Sequence, residues 1–73
     1  MEKDWIKLRT YSDALRAEMD RQMLEENGVM AVRISKQDSS FNFGRIDVFV
    51  NKADEQTARQ LLGEAQNGEE NEG

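Results

Sequence analysis

The chain has 73 residues, 15 of them acidic and 10 basic, with no histidine and no cysteine. That length makes one small domain, which buries only about 60% of the surface its unfolded chain exposes. Without cysteine, neither disulfides nor thiolate metal sites can reinforce it, and without histidine no Ser-His-Asp or Cys-His triad can be assembled within the chain.

No stretch approaches the ~20 apolar residues of a membrane helix, and Met1-Glu2-Lys3-Asp4 lacks the apolar run of a signal peptide, so a cytoplasmic location is expected and no membrane partner. The net charge of −5 argues against nonspecific duplex binding. Three of the acids, Glu69, Glu70 and Glu72, crowd the end of the chain and read as a solvated tail. No Gly-rich phosphate motif is present, so no cofactor, no metal and no catalytic residue is expected.

In chain order, residues 4–10 alternate with period two and predict a strand, with Ile6 and Leu8 on one face and Trp5, Lys7 and Arg9 on the other. Ser12 reads as an N-cap with Asp13 in the first turn. Residues 13–27 are rich in good helix formers, and the apolar set is Ala14, Leu15, Ala17, Met19, Met23 and Leu24, with Asp20 among them. Asn27-Gly28 stops the helix, Gly28 taking the left-handed cap. Residues 29–35 predict the second strand, with Met30, Val32 and Ile34 inward and Ala31 and Arg33 outward. Residues 45–50 predict the third, with Ile46, Val48 and Val50 inward and Arg45, Asp47 and Phe49 outward.

Asn51 can cap a second helix, on which Ala58, Leu61, Leu62 and Ala65 share one face. Asn67-Gly68 is expected to end it, leaving 1–66 as a single domain and 67–73 as a disordered acidic tail. The methionines read as core filler.

The order is β-α-β-β-α. It predicts a two-layer α/β (α+β) sandwich of ferredoxin-like type, with both helices on one face of a three-stranded mixed sheet. In that sheet the first and third strands run parallel and the second pairs antiparallel at the edge.

Several stretches resemble one known family. They are Trp5-Ile6-Lys7-Leu8 with Thr10, Ala17-Glu18, Leu24-Glu25-Glu26-Asn27-Gly28-Val29, and Gln37-Asp38-Ser39-Ser40-Phe41 with Gly44, followed by the strand ending at Val50. Over roughly residues 4–65 the chain is similar to the prokaryotic signal-transducing proteins, a domain of unknown function in the PII-like, ferredoxin-like superfamily. The resemblance implies that fold, a bacterial cytosolic setting and signalling. It brings no ligand or catalytic residue with it.

Two candidate surfaces follow. Residues 36–44 make a long polar loop between the second and third strands, in which Gln37, Asp38, Ser39, Ser40 and Phe41 offer hydroxyls, backbone N–H groups and an aromatic wall to a small ligand. The bland reading is a wide hairpin loop held by Asx and Ser turns. The other surface is the sheet face away from the helices, expected to carry Trp5, Lys7, Arg9, Arg33, Arg45 and Phe49. Lysine and arginine stems can simply cover the aromatics. Alternatively, a homodimer forms through this face or through the free edge of the first strand, or an unknown protein or small-molecule partner binds there. The last reading is an aromatic platform for single-stranded RNA or nucleotides. The sequence reading is thus a non-enzymatic interaction or signalling module, with nucleic-acid binding as its alternative.

Overall fold

The computed structural model describes residues 4–38 and 43–70. Strand β1 spans Trp5–Tyr11, helix α1 Ala14–Glu26, strand β2 Ala31–Asp38 and strand β3 Phe43–Asn51. A 3-10 turn at Lys52–Asp54 leads into helix α2, Glu55–Glu70. The sheet order is β1-β3-β2, and β3 pairs antiparallel with both neighbours. The expected parallel pairing of β1 with β3 is therefore corrected. β1 and β2 are the strands that run the same way, as a β-α-β unit requires, and β3 inserts between them. Both helices cover one face, giving the two-layer, ferredoxin-like α+β sandwich.

The core lies between that face and the helices. It gathers Leu8 and Tyr11 from β1, Ala17 and Leu24 from α1, Val29 from the turn that follows it, and Ala31 from β2. Ile46, Val48 and Val50 come from β3, and Ala58 and Leu62 from α2. The i, i+4 pair Ala58 and Leu62 makes the buried stripe of α2, with Leu61 partly buried beside it. On α1 only Ala17 and Leu24 are buried, whereas Leu15 and Met19 are 67% and 58% exposed. Met30 is 63% exposed, so neither it nor Met19 fills the core.

The cap of α1 differs from expectation by a residue, whereas Asn51 caps where expected. Asp13, not Ser12, caps α1, its side chain accepting from the Leu15 N–H at 2.9 Å. Asn51 caps the 3-10 turn through the Ala53 N–H at 2.9 Å. The far end of α1 is a Schellman motif. Gly28 sits at φ +87°, the Val29 N–H donates to the Leu24 carbonyl at 2.9 Å, and the Gly28 N–H donates to Glu25 at 3.0 Å. At the end of α2, the stop expected at Asn67-Gly68 does not operate. The helix continues to Glu70, since an interior glycine costs a helix only about 1 kcal/mol against alanine. Residues 71–73 of the expected tail lie outside the described residues.

The Schellman motif also sets the parity of β2. It brings Val29 back onto Leu24, and both are buried. With Val29 inward, Ala31 is inward too and is 4% exposed, and directly paired residues of neighbouring strands share a face. Ala31 pairs with Val50 and Arg33 with Val48 on the helix side, while Val32 pairs with Phe49 and Ile34 with Asp47 on the other. The inward set expected for this strand, Met30, Val32 and Ile34, is inverted.

β1 departs differently. Its register with β3 shifts between Lys7 and Arg9, so Leu8 is the extra residue of a β-bulge. Past the bulge Arg9 pairs with Val48, Thr10 with Asp47 and Tyr11 with Ile46. Tyr11 thus enters the core, and Thr10 turns to the open face.

Candidate functional site

The face away from the helices is built around β3. Along that strand Arg45, Asp47 and Phe49 share the face. β1 contributes Trp5, Lys7 and Thr10, and β2 contributes Val32 and Ile34, each set by pairing register. Trp5, Val32, Ile34 and Phe49 are half-buried, while Lys7, Thr10 and Arg45 stand exposed. At the centre the Asp47 side chain is 0% exposed. The Thr10 hydroxyl donates to its Oδ1 at 2.7 Å, and the Lys7 Nζ lies 3.8 Å from its Oδ2. A carboxylate removed from water is costly unless hydrogen-bonded and paired, and β1 supplies both requirements from residues on either side of the bulge.

Two polar groupings lie elsewhere. Inside the sandwich the Tyr11 hydroxyl donates to Asp20 Oδ2 at 2.6 Å. Burial, then the bond and charge of Asp20, push the Tyr11 phenol well above its ordinary range, with Arg9 opposing. This explains the acid among the apolar residues of α1. On the outer side of α1, Arg21 reaches Glu18 at 2.6 Å and Glu25 at 2.9 Å, and Arg33 of β2 reaches Glu18 at 3.6 Å. The Arg21 guanidinium, helped by Gln22 and Arg33, holds the Glu18 carboxyl down at about 2.

A family model described as "Putative prokaryotic signal transducing protein" matches residues 5–66. The chain belongs to this family. No curated protein and no solved structure matches it. The match spans every strand and the packed part of both helices.

Of the residues the sequence assigns to the open sheet face, Trp5, Lys7, Arg45 and Phe49 come together on it. Arg9 and Arg33 do not. The bulge carries Arg9 to the helix side near Tyr11, and the inverted parity of β2 turns Arg33 toward Glu18. An RNA-stacking platform therefore loses two of its expected cations, leaving Lys7, drawn to Asp47, and Arg45. Alternation missed Thr10, Val32 and Ile34. The Asn27-Gly28-Val29 stop was the signal for the last two, because it fixes Val29 inward.

The long loop shrinks. Gln37 pairs with Gly44 and Asp38 with Phe43, so both belong to the hairpin ladder, and Lys36 pairs with Arg45. Ser39, Ser40 and Phe41 lie outside the described residues.

Other features add little. An open cleft of about 350 Å³ beside the start of α2 is lined by Lys52, Ala53, Glu55, Gln56 and Arg59. Within it Arg59 pairs with Glu55 at 3.0 Å, and the Ala53 N–H donates to Asn51 at 2.9 Å. Among the described residues there is no cluster of three or more acids that could hold a metal ion, and no helix long and apolar enough to cross a membrane.

Proposed function

We propose that this family member is a cytoplasmic, non-catalytic interaction module of signal transduction whose working surface is the open face of its sheet, with the 37–44 end of the hairpin at its margin. One observation supports the reading. Four large apolar side chains, Trp5, Val32, Ile34 and Phe49, lie half-buried around a fully buried carboxylate, Asp47. Contiguous apolar surface of this kind marks interaction sites, and a central charge lends such a surface selectivity, since a partner must leave its pairing intact. Exposed Lys7 and Arg45 favour a partner that is apolar at its centre and acidic at its rim.

An anionic aromatic probe, anilinonaphthalene sulfonate, tests this directly. The folded protein is expected to bind it with quenching of Trp5, the only tryptophan. Phe49→Ser is expected to weaken binding severalfold, and Met19→Ser, on the far side of α1, to leave it unchanged. Equal binding by the Phe49 variant, or loss in the Met19 variant alone, would move the working surface off the sheet.

A further inference from the structure

We infer that a second copy of this chain pairs antiparallel with the outer edge of β2, joining two three-stranded sheets into one six-stranded sheet about a two-fold axis. The inference stands on the edge strands and does not depend on what the open face binds.

The order β1-β3-β2 leaves two outer edges. Each edge presents backbone N–H and C=O groups that no strand among the described residues accepts. The two edges are not equivalent. That of β1 is interrupted at Leu8, where the bulge bends the strand and breaks the even spacing of its outward groups. β2 pairs with β3 through all eight of its residues, Ala31 to Asp38, without a shift. Its outer groups are therefore evenly spaced along the whole strand, and the chain holds no proline to interrupt them. The device that blunts one edge is missing from the other.

The side chains agree. On the open face the edge carries Val32 and Ile34, both half-buried, with nothing described beyond them. A two-fold mate brings its own Val32 and Ile34 within cross-strand reach, about 5 Å between Cβ atoms for facing pairs. On the helix side Arg33, which could stand over the edge and block it, is drawn back toward Glu18 of α1 at 3.6 Å. A second copy suits this edge better than an arbitrary peptide. Isologous pairing needs no sequence beyond the strand itself, and a chain of this size gains from added burial. The pairing also doubles the open face without covering it.

Amide hydrogen exchange by NMR, with sedimentation equilibrium on the same samples, tests the inference. At high concentration a dimer is expected, with every second amide of residues 31–38 slowed on the order of tenfold or more relative to dilute protein. Trp5, on the opposite edge strand, keeps its emission throughout. Ile34→Lys, which sets two ammonium groups near the axis, is expected to shift the equilibrium to monomer and remove that protection. Because each copy carries −5, added salt is expected to strengthen the dimer. Three results would each overturn the inference: a monomer at every concentration, a dimer whose formation shifts Trp5 emission and leaves the β2 amides fast, or an Ile34→Lys variant that dimerises as tightly as the parent. The exchange measurement uses the unaltered protein, so it decides the matter even if the variant does not fold.

Discussion

Replacing Tyr11 with phenylalanine removes one oxygen and little else, which makes it the sharpest probe of how the sandwich is held. The phenol is 7% exposed and donates to Asp20 at 2.6 Å. A hydrogen bond to a charged group contributes about 1.5–3 kcal/mol net. Asp20 is only half-buried, so water can partly replace the lost donor and the lower end applies, about 1.5–2 kcal/mol. In a domain of 73 residues each kcal/mol moves the melting midpoint by about 4–8 °C, so Tyr11→Phe is expected to melt about 6–16 °C lower near neutral pH.

The pH dependence gives an independent check. The folded phenol titrates above its ordinary value of 10, so its contribution is complete below pH 10 and is lost as the pH rises above it. Each unit above 10 removes about 1.4 kcal/mol of the difference, and the two proteins should become equally stable near pH 11 to 11.5. Tyr11 is the only tyrosine. Tyrosinate absorbance near 295 nm therefore reports it alone, and Trp5 emission follows unfolding. A folded protein whose tyrosine ionises at 10, or a variant as stable as the parent at pH 7, would refute the argument.

Three further outcomes are expected. Thr10→Val leaves buried Asp47 without its hydroxyl donor at 2.7 Å and should cost about 1–3 kcal/mol in urea unfolding; a neutral result would mean that the remaining partners suffice. Gly28→Ala forces a side chain to φ +87° and should cost about 1–2 kcal/mol, although open space surrounds the position. Glu18 is held at about 2 by Arg21, so its stabilising effect is present above about pH 4.5 and is lost as the pH falls toward 2; Glu18→Gln should flatten the acid limb of the stability curve between those values, read by circular dichroism.

Much of the fold was legible because it rests on local signals. Alternation along 45–50 gave β3 its faces, Asn27-Gly28 gave the Schellman stop, and Ala58 with Leu62 gave the buried stripe of α2. What was not legible came from residues that act through distant partners. Asp20 looked misplaced on α1 until Tyr11 came across from β1, and Tyr11 was hidden because the strand seemed to end at Thr10. The bulge at Leu8 leaves no mark on a pattern that alternates well on its N-terminal side. In β2 both parities carry apolar residues, Ala31 on one and Val32 and Ile34 on the other, so alternation alone had no means to choose. The candidate site inherits these gaps. Trp5, Lys7, Arg45 and Phe49 were placed by period two, and Arg9 and Arg33 were misplaced by it.

The turn from α1 into β2 behaves like a phase lock. Because Val29 is pinned to Leu24, the residue count between helix and strand decides which half of β2 meets the core. One residue inserted or removed between Gly28 and Ala31 would exchange Ala31 and Arg33 for Val32 and Ile34, sending the apolar pair inward and an arginine outward. Two residues would restore the order. Length changes at this corner should therefore be tolerated in even steps and rejected in odd ones, so that a segment with no chemistry of its own governs which side chains of β2 meet the core and which meet solvent.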